Sequence, residues 1–340
     1  MVHIIGEYID RLATVEMRPA QSNLARGVIH QLYDAVRAKY DSPLVSLAAS
    51  RIVDTVRPGD SVVILAGAGG PPALPNAEVD GIPGAVAIAK ALDYGLGAEV
   101  TILTEKRAED TLRATVRAAG LNVRGRHEDP LAHCVTWEES PIDRVDAALH
   151  AEDVLDRLSP AVIVAIEKLA PNIHGIIHGA TGLDYDAVHT KPDEYFDRAA
   201  SRGILTFGIG DGGNEAGFGV AHDEVMDIMP SGRTCLCQCG GGSATTVPAD
   251  LFMVAAISDW GGYAFGAMVS YLTGVASAML TPAEVERMLR ACIDAGALDG
   301  VLGVPVIADD GVPLLTQRAY VQMLNDLVAV ASTTLESPGH

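Results

Sequence analysis

The chain has 340 residues, 49% of them hydrophobic, which is enough to form a large buried core. Its formal net charge is −20 and it contains no Lys/Arg cluster, so a nucleic-acid partner is not expected, because a phosphate backbone would be repelled. The first residues lack a basic region followed by an apolar stretch, and the five cysteines are an odd number. These features predict a cytoplasmic protein without a signal peptide, and its oligomeric state is left open.

The chain begins with a segment that we predict to be mainly helical. Residues 24–38 and 44–56 carry apolar side chains at helical spacing, and a Pro-Gly-Asp break follows at 58–60. We therefore predict a helical N-terminal segment over residues 1–57, packed on a main catalytic domain over residues 58–340.

The next part of the chain alternates short apolar runs with helical patterns. Strands are predicted at 61–66, 98–103, 161–166 and 204–209, and helices at 84–96, 107–119 and 193–201. This alternation indicates an α/β fold, with a mostly parallel sheet covered by helices on both faces.

The C-terminal third contains a long apolar stretch, which we predict to be helical from Ala249 to about Thr273. The acidic residues and glycines within 247–279 indicate a buried region and not a membrane span. A further helix should begin at Thr281, where Glu284 completes a capping box. We also predict a turn at 309–311 and a last helix over about 317–330.

Three cysteines, Cys235, Cys237 and Cys239, alternate with other residues. On a strand their thiols would share one face. Because zinc ligands are usually separated by two to four residues, we interpret these cysteines as small side chains that fill a tight core face.

The strongest functional pattern is the Gly-rich run 210–219, which follows a predicted strand directly. Asp211, Asn214 and Glu215 supply oxygens for a divalent cation or for proton transfer, and Gly212 and Gly213 allow a ligand to approach the backbone closely. A turn with solvated acids is the alternative, but the position at a strand end favours function. The spacing matches neither a Walker motif nor a dinucleotide-binding fingerprint.

Two further patterns lie at predicted element ends. Asp80 and Gly81 precede a helix, where they either cap it or help to bind an anionic ligand. Glu167 ends a strand, and His174 and His178 follow it in a Gly-rich segment. These histidines are candidates for proton exchange or metal binding, although isolated histidines are usually structural.

Acidic residues within the apolar C-terminal stretch need partners. We predict that Asp259 and Trp260 line the cavity that binds the substrate, and we include Asp250 among the candidate metal ligands. Arg26 is a candidate carboxylate clamp, with an ordinary surface position as the alternative.

Four segments resemble the D-glutamate cyclase family, in the same order along the chain: 80–87 (DGIPGAVA), 165–168 (AIEK), 210–219 (GDGGNEAGFG) and 258–264 (SDWGGYA). Arg26-Gly27 also resembles a family segment, so the resemblance covers roughly residues 20–330. It implies dehydrating closure of D-glutamate to 5-oxo-D-proline, supported by Mn²⁺ or Mg²⁺. It also implies a small-molecule substrate and a cation held by Asp211 and Glu215.

One segment departs from the family pattern. Residues 173–181 lack the family's Asp, Asn and Arg and introduce Ile176 and Ile177. The part of the substrate site that this segment forms should therefore be less polar than in the family. We therefore keep three hypotheses: a cyclase-like enzyme, a hydrolase of a small lactam, lactone or cyclic imide, and a non-catalytic small-molecule-binding protein. The segment 235–243 departs from the pattern as well.

Overall fold

A parallel sheet forms the centre of the computed structural model, which describes residues 1–20, 22 and 24–333. In sheet order β3-β4-β2-β1-β5-β6-β7, every neighbouring pair is parallel. The strands are β1 (Ser61–Ala66), β2 (Glu99–Thr104), β3 (Asn122–Gly125), β4 (Cys134–Glu139), β5 (Val162–Ile166), β6 (Leu205–Gly210) and β7 (Leu251–Val254).

Helices cover both faces of this sheet, as the sequence predicted. Val62 and Ile64 of β1 pack in the larger core, whereas Val63 and Leu65 face a second core on the opposite side. The larger core includes α4 and α9, and the second core includes α6 and α7. The helices of the described residues are α1 (Val2–Ala13), α2 (Val28–Arg37), α3 (Leu44–Thr55), α4 (Ile82–Leu96), α5 (Glu109–Ala118), α6 (Arg144–Leu158), α7 (Pro192–Ser201), α8 (His222–Ile228), α9 (Ser258–Thr273), α10 (Pro282–Asp294) and α11 (Leu314–Ser332).

The first three helices pack on the same core as the sheet. Ile9, Leu32 and Ile52 are fully buried in it. Asp10 of α1 caps α3, because its carboxylate accepts hydrogen bonds from the Leu44 and Val45 amides at 2.7 and 3.0 Å. The proposed division at residue 57 stays a prediction, and residues 334–340 of the predicted main domain lie outside the described residues.

The C-terminal third differs from the sequence prediction at one place. The stretch from 249 to 273 is not one helix, because Leu251–Val254 forms β7 before α9 begins at Ser258. A short apolar run fits a buried strand and a buried helix equally well. The predicted capping box at Thr281 is present. The predicted turn is formed by Asp310 and Gly311, between two short antiparallel strands, β8 (Ala308–Asp309) and β9 (Val312–Pro313). No helix of the described chain is long and apolar enough to cross a membrane.

The strand order places a crevice at the carboxyl end of the sheet. The chain proceeds from β1 to β2 on one side and later adds β5 on the other side of β1. In open α/β sheets, ligands bind where the order reverses in this way. The loops after β1, β5 and β6 therefore meet at this crevice.

Candidate active site

A cavity of about 410 Å³ opens at the carboxyl ends of β1, β5 and β6. Its polar side is formed by side chains from five separate segments of the chain: Arg18, Glu78, Glu167, Asp211, Asn214, Glu215 and Asp310. The apolar side is formed by Leu24, Leu74, Leu169, Leu183, Tyr185, Val301 and Leu302. The cavity volume suits a small molecule, and its two kinds of lining suit a ligand with one charged and one apolar side.

The Gly-rich run after β6 folds around the carboxylate of Glu215. This carboxylate accepts hydrogen bonds from the amides of Asp211, Gly212 and Asn214 at 3.1, 2.8 and 3.0 Å. Gly213 has φ 82°, a conformation that strongly favours glycine. Glu215 thus stabilises the turn. Because these three amides donate to Glu215, they do not point towards the place where a negatively charged oxygen of a reaction intermediate would bind.

Arg18 occupies the centre of the polar side of the cavity. Its guanidinium contacts Asp211 and lies 2.6 Å from a carboxylate oxygen of Asp310, and all three side chains are buried. Arg26, the arginine that the sequence suggested, is exposed and borders a neighbouring cavity that Arg18 also lines. The buried cation at the candidate site is therefore Arg18.

Glu167 combines burial with an unusual backbone conformation. It follows β5 with φ 44°, which is rare for a residue with a side chain and often marks a functional position. The hydroxyl of Ser258 donates a hydrogen bond to its carboxylate at 2.6 Å. Burial, followed by the nearby carboxylates of Asp211 and Glu215, raises the pKa of Glu167 well above its usual value.

Asp80 and Asp259 connect the N-terminal ends of α4 and α9 through hydrogen bonds. Asp80, before α4, accepts hydrogen bonds from the amides of Ser258 and Asp259 at 3.1 and 2.7 Å. Asp259, in the first turn of α9, accepts from the amides of Gly81 and Gly84 at 2.9 and 2.5 Å. Each helix therefore receives an N-terminal carboxylate from the other.

The region around Arg18 is strongly acidic. Burial raises the pKa of Asp211 to about 6, although Arg18 lowers it in part, and burial raises the pKa of Asp310 to about 6. Burial raises the pKa of Asp259 to about 8. Burial also raises the pKa of five further carboxyl groups, those of Glu78, Asp80, Glu167, Glu215 and Asp309. One buried arginine does not offset this many carboxylates, so the cluster favours bound protons or a bound cation.

The donor set fits a hard divalent cation. Carboxylate oxygens of Asp80, Asp309 and Asp310 lie within 4.8 Å of one another, as do those of Asp80, Glu167 and Asp211. Both oxygens of Asp309 are buried and have no hydrogen-bond partner among the described residues. Oxygen donors of this kind are typical ligands of Mg²⁺ and Mn²⁺.

Asp250 does not join this cluster. Its carboxylate accepts hydrogen bonds from the amide and the hydroxyl of Thr206, both at 2.9 Å, at the start of β6. Asp211 follows the opposite end of the same strand, about 16 Å away at 3.3 Å per residue. The two residues cannot share one ion, so Asp250 is wrong in the predicted ligand set of Asp211, Glu215 and Asp250. Glu215 belongs to neither of the two carboxylate groups, because its carboxylate is held by the amides of the turn.

Trp260, Asp259 and the two histidines are also placed elsewhere. Trp260 is buried in the core, stacks on Tyr320 and donates a hydrogen bond to Gln317 at 2.6 Å, so it does not line the cavity, and neither does Asp259. His174 is exposed, and His178 is buried with its ring directed towards cysteine sulfurs. The two histidines therefore do not act on one group at the cavity.

Several residues of this site had no sequence signal. Arg18 lies in an irregular stretch before α2, and no pattern separates it from a surface arginine. Asp309 and Asp310 have the sequence of an ordinary turn, and Glu78 is an acidic residue two positions before Asp80. Their burial follows from long-range packing, which local spacing does not encode.

Comparison with known proteins identifies the family. The sequence model described as "D-glutamate cyclase-like, C-terminal" matches residues 20–327. This chain belongs to the D-glutamate cyclase-like family. It is 26% identical over 283 residues to human mitochondrial D-glutamate cyclase. The alignment covers 76% of this chain and 43% of that relative, so the chain spans less than half of the relative's length. Residues of the site that lie within the family match include Glu78, Glu167, Asp211 and Asp310.

Proposed function

We propose that this protein is a cation-assisted enzyme that closes or opens a ring on a small carboxylate. The first candidate reaction is conversion of D-glutamate to 5-oxo-D-proline and water, because the similar human protein is named D-glutamate cyclase. The observation that carries the proposal is the buried acidic cluster around Arg18, beside a cavity of about 410 Å³. This arrangement combines a small-molecule cavity with groups that exchange protons.

Charge balance supports the need for a cation. D-Glutamate carries two carboxylates, and the polar side of the cavity is itself acidic, so the free anion would be repelled. Arg18 is already paired with Asp211 and Asp310. A divalent ion held among Asp80, Asp211, Asp309 and Asp310 would supply positive charge to polarise a substrate carboxyl group.

Glu167 is the best candidate for moving protons. Ring closure forms a bond between the amine nitrogen and the side-chain carboxyl carbon, and breaks a bond from that carbon to oxygen. The ammonium nitrogen loses two protons in total, and the departing carboxylate oxygen gains two to leave as water. A single carboxyl group with a raised pKa can take a proton from the nitrogen and deliver it to the departing oxygen, and Glu167 lines the cavity with this property.

The proposal is tested with Glu167→Gln, which keeps the side-chain size and an acceptor for Ser258 but does not exchange a proton. Cyclisation of D-glutamate should fall by about 10²–10⁴-fold in kcat. The matched control is Asp294→Asn, an exposed carboxyl at the end of α10, which should retain wild-type turnover. Products are measured by chiral mass spectrometry with Mg²⁺ or Mn²⁺ present. Full turnover by Glu167→Gln would exclude the proposed role.

The second candidate is ring opening by hydrolysis of a small lactam, lactone or cyclic imide. The apolar side of the cavity favours this reading, because Leu169 and Tyr185 pack with Ile177, one of the two isoleucines that make this wall less polar. The same assay with a panel of ring substrates distinguishes the two reactions. Thermal stabilisation by these compounds without turnover would support the non-catalytic binding protein instead.

A further inference from the structure

Four side chains of types that ligate metal ions meet next to residues 179–181 of the cavity wall. They are His178 and the three cysteines Cys235, Cys237 and Cys239, and their ligand atoms all lie within 4.8 Å of one another. The cysteines lie on an irregular loop after α8 and not on a strand, so the expected arrangement on one strand face is wrong. Alternate residues of a folded loop can converge, which a straight strand would not allow.

Four of the six distances between these atoms lie within about 0.5 Å of those in a single tetrahedral site. The sulfur of Cys235 lies 3.5 Å from that of Cys237 and 3.3 Å from that of Cys239. The Nε2 atom of His178 lies 3.2 Å from the Cys237 sulfur and 3.7 Å from the Cys239 sulfur. With Zn–S near 2.3 Å and Zn–N near 2.0 Å, a regular tetrahedron requires ligand separations of about 3.5–3.8 Å.

The surroundings of these ligands also suit a metal. The Nδ1 atom of His178 lies 3.1 Å from the Ile176 carbonyl, so an Nδ1–H donor leaves Nε2 free to bind an ion. The amides of Cys239 and Gly241 donate to the sulfurs of Cys237 and Cys239, both at 3.4 Å. Such N–H···S contacts stabilise thiolates, which are the form that binds zinc.

We propose that His178, Cys235, Cys237 and Cys239 form a structural zinc site. Three thiolates and one imidazole complete a four-coordinate shell, and this leaves no open position for a substrate. An iron–sulfur cluster does not fit, because its ligands surround several metal atoms and must lie farther apart. The proposal does not depend on the proposed reaction, because none of these four side chains lines the cavity.

The zinc ion would join a loop that lines the cavity to the loop after α8. The carbonyl of His178 accepts a hydrogen bond from Asn214 at 2.8 Å, and the next residues, Gly179 and Ala180, line the cavity. On the other loop, the amide of Leu236 donates to the carbonyl of Gly182 at 2.9 Å. The ion would therefore fix the position of the wall next to the Gly-rich turn.

The experiment uses the whole protein, purified under reducing conditions without added metal. Elemental analysis should find one zinc ion per chain. Replacement by Co²⁺ should give the thiolate-to-cobalt charge-transfer bands and intense visible bands of a tetrahedral site. Cys237→Ser and His178→Asn should lose the zinc and melt several degrees lower.

Matched controls are Cys134→Ser and His174→Asn, which change the same residue types outside the four ligands and should keep the zinc and the cobalt spectrum. If a ligand variant does not fold, the cobalt spectrum of the wild-type protein decides alone. A wild-type protein that does not bind Zn²⁺ after full reduction would overturn the proposal. An octahedral cobalt spectrum, or a disulfide among the three cysteines trapped by alkylation in cell extracts, would overturn it as well. None of these readouts measures turnover, so they are independent of the proposed function.

Discussion

At the scale of single residues, Arg18 decides the charge balance of the site. Its guanidinium is buried between Asp211 and Asp310 and is the one basic group among the described residues that line the cavity. Removing one partner from a buried ionic cluster leaves charges without compensation, which is usually more costly than losing the attraction itself.

We therefore expect Arg18→Met to lower the free energy of unfolding by about 3–5 kcal/mol at pH 8. The loss should be smaller at pH 5, because Asp211 and Asp310, whose pKa values are about 6, then carry protons. Denaturant unfolding at both pH values measures this difference. The control Arg26→Met removes an exposed arginine and should change stability by less than about 0.5 kcal/mol. Equal losses for the two variants would contradict this account of Arg18.

At the scale of elements, the close crossing of α4 and α9 positions the carboxylates beneath the cavity. A Cβ atom on Gly262 would lie 2.6 Å from the carbonyl oxygen of Gly84, and a Cβ on Gly84 would lie 2.8 Å from the Cα of Asp259. Only glycine permits this approach, and the approach brings Asp80 and Asp259 to the start of the opposite helix. Gly84 and Gly262 thus serve the contact between the two helices.

Gly262→Ala should therefore destabilise the fold by about 1–3 kcal/mol or more, since the added methyl group meets backbone that cannot move aside. Gly266→Ala, one turn later in α9, is the matched control. Its nearest atom would be 3.6 Å away, so alanine should be neutral or stabilising by up to about 1 kcal/mol. Thermal unfolding of both variants is the measurement. Similar melting temperatures would show that the crossing tolerates a side chain.

At the scale of the whole molecule, the buried carboxyl groups should link stability to pH. Asp211, Asp259 and Asp310 have folded-state pKa values of about 6, 8 and 6, above the usual value of 3.8. The folded state consequently binds more protons than the unfolded state between about pH 4 and pH 8. Stability must fall as the pH rises through this window.

A divalent cation competes with these protons, so its effect should depend on pH. We expect saturating Mg²⁺ to raise the melting temperature more at pH 8 than at pH 5. At a concentration 100 times its dissociation constant, Mg²⁺ should stabilise the folded state by about 2.7 kcal/mol. Mg²⁺ is the suitable probe because it prefers oxygen ligands to thiolates. Asp309→Asn, which removes a carboxylate without a hydrogen-bond partner, should weaken the response. A larger Mg²⁺ effect at pH 5 would refute the link between the acidic cluster and cation binding.

The sequence by itself determined the fold class and the strand end that carries the Gly-rich turn. Apolar runs and the capping box at Thr281 are local patterns, so β1, β2, β5, β6 and α10 could be predicted from them. The position of Asp211 at the carboxyl end of β6 followed from the same reasoning, since parallel strands present their ends to one crevice. A short apolar run is compatible with a buried strand and with a buried helix, which is why the sequence predicted a helix at the position of β7.

Only the tertiary structure decided which side chains meet. Arg18 reaches Asp211 across 193 residues of sequence, and His178 meets Cys237 across 59. It also showed that the two segments departing from the family pattern, 173–181 and 235–243, lie against each other. Neither pairing has a local signal. The first results from packing of the segment before α2 against the loop after β6, and the second from packing of the loop after β5 against the loop after α8. Spacing along a chain predicts neighbours on one helix or strand, whereas this site is assembled from loops whose ends are fixed by the sheet.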